Sequence, residues 1–204
     1  MYTPNHFKQP DHQIVQSFIR ENGFGTLISH VEGQLWASHI PLQLSDDTKF
    51  LSGHIARGNK SWKSFDNENE VLAIFQGPHT YISSSWYDHE NVPTWNYIAV
   101  HVYGKLRIVE GDELYQSLKS MLDHYEAHVE HPVTMESLSE SYLKSHLGAV
   151  VGFEIAISKI EASFKLSQNR DAKNHQSIIK HLEQIGDANA LAVAHEMKKH
   201  EPKR

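Results

Sequence analysis

Two stretches that alternate with the two-residue period of a β-strand, residues 25–31 and 34–44, are separated only by Glu32-Gly33. A gap that short admits an antiparallel hairpin and nothing else, because a parallel pair needs a crossover of roughly a dozen residues. The same grammar continues. Residues 50–55 follow the polar Ser45-Asp46-Asp47 turn, and residues 71–75 form an unbroken apolar run that Gly77-Pro78 is expected to end. In residues 96–109, Tyr97, Ala99, His101 and Tyr103 alternate with Ile98, Val100 and Val102, and residues 150–166 alternate again. Helical spacing is confined to residues 11–22 (with Asp11 as N-cap), a short piece at 59–67, residues 111–125 and 135–147, and the tail at 175–182 and 188–199. Strands joined by tight turns, with helices inserted irregularly, predict an α+β fold built on an antiparallel sheet or barrel.

Composition removes several classes of function. The 204 residues contain no cysteine, which excludes a disulfide framework and any Cys-based zinc or iron–sulfur site. A net charge of −6 argues against a broad nucleic-acid surface. No apolar run approaches the roughly 18 residues of a membrane span, and the first residues lack the basic-then-apolar order of a signal peptide. A cytoplasmic protein without membrane contact is therefore expected. The dinucleotide turn, the P-loop and the α/β-hydrolase elbow are all missing. The 16 histidines include two helical pairs, His124/His128 and His195/His200. In the first pair the intervening Glu126 falls on the wrong face, and in the second the spacing is five, so both read as surface histidines and no metal site is expected.

Three segments are richer in chemistry. Residues 52–62 place Arg57, Gly58, Asn59, Lys60 and Ser61 at a strand end running into a short helix. Helix N–H groups with a guanidinium, an ammonium and a hydroxyl are how an oxyanion such as a phosphate is held. Residues 77–87 and 92–97 gather Trp86, Tyr87, Trp95 and Tyr97 among hydroxyls, suited to a planar ligand, a subunit interface or an aromatic core. Residues 165–170 add Lys165 and Arg170 after the last strand. No carboxylate pair or nucleophile–base arrangement stands out, and no catalytic residue is named.

Taken in order, these segments resemble the PaiB family of FMN-binding negative transcriptional regulators. The likeness runs through residues 2–7, 52–62, VLAIFQGPHTYISSSWY at 71–87, VPTWNYIAVHVYG at 92–104, and VVGFEI and KLSQNR within 149–170. It implies a split β-barrel of the flavin-reductase and pyridoxamine-phosphate-oxidase type over residues 1–170, a helical extension over 171–204, a homodimer, and FMN near the subunit interface. By position it assigns the flavin phosphate to Arg57, Asn59, Lys60 and Ser61, with His54 and Ile55 on the preceding strand. Residues 37–42 would pass along the ring, Asn96 and Tyr97 would approach from the long strand, and Lys165, Gln168 and Arg170 would close the site. Two departures stand out: Gly58-Asn59-Lys60 replaces the family's Ala-Asn-Pro, and Ser84 replaces a proline between serines.

Direct DNA binding fits poorly. No helix-turn-helix with a basic face is visible, and residues 171–204 carry six Lys and Arg against five Asp and Glu. A regulator acting indirectly or through a partner is the expectation, and a flavin-dependent oxidoreductase using a nicotinamide or another electron donor is the alternative.

Overall fold

A computed structural model describes residues 1–66 and 68–200. The expected end of the short helix at Asn67, and residues 201–204 of the expected extension, lie outside the described residues. Six strands, β1 (Phe24–Val31), β2 (Gln34–Leu44), β3 (Phe50–Ala56), β4 (Glu70–Ile82), β5 (Thr94–Val109) and β6 (Val150–Lys165), close into a barrel in the order β1-β2-β3-β6-β5-β4. The helices are α1 (His12–Glu21), α2 (Gly111–Glu126), α3 (Glu140–Ala149), α4 (Ala172–Ile185) and α5 (Ala188–Lys199), with short 3-10 turns before α1, after β3 and β4, and between α2 and α3.

The expected hairpin is present: β1 and β2 pair antiparallel from Phe24↔Pro41 to Val31↔Gln34, and Glu32 and Gly33 both take positive φ. That left-handed backbone matches the twist of the two strands it joins. The pairs β2–β3, β3–β6 and β1–β4 are antiparallel as well. Among the described residues, no helix is long and apolar enough to cross a membrane.

The chain divides into two compact units. One comprises Gln16–Phe75 and Val102–Ile160; the other comprises Met1–Val15, Gln76–His101 and the chain from Glu161 on. The first holds the barrel core. Strand alternation turns Leu27, Ile40, Leu42, Leu51, Ile55, Ala73, Phe75, Val102, Leu106, Val151, Phe153 and Ile155 inward, all buried. Two glycines are required by close approach: a Cβ on Gly104 would lie 2.3 Å from the Ala156 carbonyl oxygen, and one on Gly53 would lie 2.7 Å from the Phe153 ring.

In the second unit α4 and α5 pack against each other, and Ile178, Ile179, Leu182, Ala190, Val193, Ala194 and Met197 are buried. Asp171 and Asp187 cap the two helices, and Gly186 in the left-handed region ends the first. The loop after β4 is tied to α4: Asp88 accepts from Asn174 Nδ2 at 2.9 Å, and Ser177 donates to the Trp86 carbonyl at 2.7 Å. The Trp86 ring stacks on His181 at 5.2 Å. The Lys173 ammonium and the His89 and Asn174 hydrogen bonds hold the Asp88 carboxyl far below the ordinary carboxylate range.

Two elements differ from expectation. Gly77-Pro78 does not end β4, which runs on to Ile82. Its pairing with β1 covers Leu72–Ile74, so the missing N–H of Pro78 costs no bond in that ladder. The helix expected over 135–147 is broken in two, because Thr134 and Ser137 form a reciprocal capping box around a 3-10 turn and Ser139 caps α3 afresh.

Candidate functional site

In the barrel unit, the corner where β3 ends is held from three directions. The Arg57 backbone N–H donates to the Ala149 carbonyl at 2.8 Å. The Arg57 side chain donates through Nε to the Gly148 carbonyl at 2.8 Å and through Nη2 to that of Val150 at 2.9 Å. The Trp62 indole donates to the Arg57 carbonyl at 3.0 Å. A guanidinium carries five N–H donors, so the two used here fix its position and leave three for an external acceptor. Asn59 accepts from the Ser61 backbone N–H at 3.2 Å and donates to Ser38 Oγ at 3.2 Å, which ties the corner to β2. Lys60 is exposed and has no ionic partner among the described residues.

The helix following Asn59 is a single 3-10 turn, Lys60–Ser64, and so carries little aligned dipole. Charge for an anion here comes from Arg57 and Lys60. Removing the Asn59 cap by Asn59→Ala is expected to cost about 1 kcal/mol of stability, checked by urea unfolding.

His54 lies on the outer face of β3. Its Nδ1 is buried without a hydrogen-bond partner, and burial lowers the pKa of the ring from its ordinary 6.5. In the second unit, burial also lowers that of His101. The unfolded chain therefore binds protons that these folded rings refuse. Their contribution to stability is complete above pH 6.5 and falls as pH drops from 6.5 toward the folded values. The urea midpoint is expected to decline over that acid window, and to decline less in His54→Phe.

The second unit holds the remaining candidates. Asn96 is fully buried; it accepts from Ser167 Oγ at 3.1 Å and donates to Met197 Sδ at 3.4 Å. Tyr97 receives a hydrogen bond from Ser163 Oγ at 3.4 Å. Gln168 closes the turn after β6 by accepting from the Leu166 N–H and donating to the Phe164 carbonyl. Ser167, at the centre of that turn, has a φ of 60°, an uncommon conformation for a residue with a Cβ. The Arg170 guanidinium lies 5.1 Å over the Tyr87 ring, and Lys165 donates to Thr94 Oγ1. Burial, then the charge of Arg170, lowers the Lys165 pKa. Neither cation is ion-paired among the described residues, so this turn presents a positive field that an anion would relieve.

Thus Arg57, Asn59, Lys60, Ser61 and His54 fall in the barrel unit, and Asn96, Tyr97, Lys165, Gln168 and Arg170 in the other. Sequence reasoning did not foresee Ser38 or the carbonyls at the end of α3. No residue type marks a carbonyl as an acceptor, and Ser38 was one hydroxyl among many. The histidine pairs prove irregular: α2 ends at Glu126, so His128 lies beyond it, and His200 is the C-cap of α5.

Residues 1–159 match the family described as "Putative FMN-binding domain". Over 196 residues the chain is 44% identical to Protease synthase and sporulation protein PAI 2 of Bacillus subtilis strain 168, covering 95% of each chain. The chain belongs to the PaiB family. The cofactor of the PaiB domain is FMN, and the donor set at Arg57 and Lys60 suits its phosphate. Solved structures place the PaiB chain among split barrels. The FAD and heme binding protein of Mycobacterium smegmatis matches with a TM-score of 0.60 at 11% identity, over 83% of this chain and 78% of that one. A flavocytochrome from Azotobacter vinelandii matches with a TM-score of 0.57 at 10% identity, over 83% and 75%. At such identities the likeness is one of fold.

Proposed function

We propose that this PaiB-family protein is a cytoplasmic flavoprotein that represses gene expression indirectly, through its FMN or a partner protein. The observation that carries the flavin part is the anchored Arg57 guanidinium with three free donors beside an unpaired Lys60. In the proposed arrangement Arg57 and Lys60 neutralise the phosphate, while Asn59 and Ser61 keep the corner closed. Asn96 acts as a positioning residue that fixes β5, so that Tyr97 is presented in one orientation. Bound FMN supplies hydride or electron transfer. In the other unit, taken by itself, Lys165 and Arg170 form a cation pair without counter-charge among the described residues, the kind of charge that steadies a negative pyrimidine edge of a reduced flavin. Gln168 holds the turn that carries them.

The regulatory part is supported by the name of the Bacillus subtilis relative, which concerns protease synthesis and sporulation. The near-balanced charge of residues 171–204 favours an indirect route over operator binding. A homodimer is supported by Leu35 and Trp36, which leave apolar surface exposed beside the β1–β2 turn.

The test is the absorbance spectrum of the purified full chain before and after FMN is added. A perturbed flavin band at one FMN per chain is expected; an unperturbed spectrum contradicts the reading. The oxidoreductase alternative draws on the cation pair at Lys165 and Arg170, and predicts FMN-dependent oxidation of NADH or NADPH. An operator-length duplex mixed with the full chain at physiological salt is expected to show no mobility shift.

A further inference from the structure

The arm formed by α2, the 3-10 turn Met135–Ser137 and α3 is pinned at both ends and loose between them. Leu114 and Met121 of α2 are buried, and at the far end the Arg57 side chain donates to the carbonyls of Gly148 and Val150. Among the described residues 122–147, Met135 alone is buried. No residue of α3 is buried, and Tyr125 and Tyr142 are 53% and 51% exposed. Beneath this part of the arm, against the outer face of β2 and β3, lies a cavity of about 420 Å3. Segments with so few buried contacts open locally, at a small fraction of the global unfolding free energy.

The barrel side of the cavity wall carries His54. Its ring makes no hydrogen bond among the described residues, and its Nδ1 is closed off without a partner. A neutral imidazole is tolerated there. An imidazolium carries an N–H on both nitrogens and a full charge, and the wall offers no Asp or Glu to meet it. The other titratable groups of the wall are Tyr125 of α2 and Tyr142 and His146 of α3. His146 is exposed and its Nδ1 donates to the Tyr142 carbonyl at 2.8 Å, so it already has the partner that His54 lacks. The charges on the surrounding elements are engaged elsewhere and do not line the wall: Glu154 of β6 pairs with Arg107, and Lys119 of α2 pairs with Asp123 and Glu136. On β2, His39 bonds to Thr26 Oγ1 at 3.0 Å. We propose that the arm is an acid-released flap: protonation of His54 frees residues 122–147 from β2 and β3 while the six-stranded barrel stays closed.

The direction follows from burial, the one cause that acts on His54, which holds its pKa below 6.5 while the arm is docked. With the arm lifted, the ring regains water and its ordinary value. The open form therefore binds the proton more tightly. Docking is at full strength above pH 6.5 and weakens as pH falls toward the docked value. A histidine placed under a weakly held element is a common way to turn a change near pH 6 into a change of shape.

The flap goes beyond the flavin reading and does not rest on it. The test is amide hydrogen exchange on the full chain without FMN, so its failure leaves that reading untouched. A ten-residue helix is marginal once undocked, so release is read as lost protection in α3. Between about pH 7.5 and about pH 5.5, protection of α3 is expected to fall several-fold, to a limit of about tenfold, after correction for the pH dependence of exchange itself. The β1–β2 and β3–β6 ladders are expected to keep theirs. His54→Phe and His54→Leu each abolish the acid response, and His146→Asn retains it. The proposal is overturned if protection of α3 does not change with pH, if the ladders lose protection in parallel, if the response survives both His54 substitutions, or if His146→Asn abolishes it.

Discussion

Phe153→Ala is expected to lower stability by about 3–5 kcal/mol, the usual cost of emptying a buried aromatic site. Phe153 is fully buried on β6, opposite Gly53 in the β3–β6 register, and its ring fills the space which that glycine leaves. Its edge meets the Phe65 ring at 5.5 Å and 69°. The barrel cannot collapse into the void cheaply, because the strands around it are fixed by their ladders. Phe65 directly follows the 3-10 turn that carries Lys60 and Ser61, so the loss also loosens the corner proposed to hold phosphate. Urea unfolding reads the first effect, and FMN titration reads the second. A loss under about 1 kcal/mol would mean that the space is not closely packed.

Arg57→Ala is expected to weaken FMN by about 1.5–3 kcal/mol, roughly 10- to 150-fold, the worth of a charge-assisted hydrogen bond. The same substitution removes two bonds to the carbonyls of Gly148 and Val150, so some stability goes with it. Riboflavin, which lacks the phosphate, separates the two causes. If Arg57 acts on the phosphate, FMN weakens and riboflavin does not; if Arg57 only shapes the corner, both weaken together.

The strand framework was legible because it is written in a short-range code. A two-residue gap at Glu32-Gly33 leaves one topology, and the alternation in residues 96–109 names the faces of β5. The continuation of β4 through Pro78 was hidden, since whether a proline breaks a strand depends on which edge is paired, and that is a tertiary fact. The break between Ser137 and Ser139 was hidden for a related reason. The bonds by which Ser137 and Ser139 cap the two pieces form only once the chain has folded. For the site, Arg57, Asn59 and Lys60 declared themselves by charge and position, whereas the backbone acceptors that anchor Arg57 carry no signature in residue type.

The ratio of FMN to riboflavin affinity in the unmodified protein, measured by fluorescence titration at one ionic strength, bears most directly on a phosphate held by the end of β3. Two cations acting on the phosphate predict that FMN binds on the order of 100-fold more tightly than riboflavin. Equal affinities would contradict a phosphate-binding corner at Arg57 and Lys60.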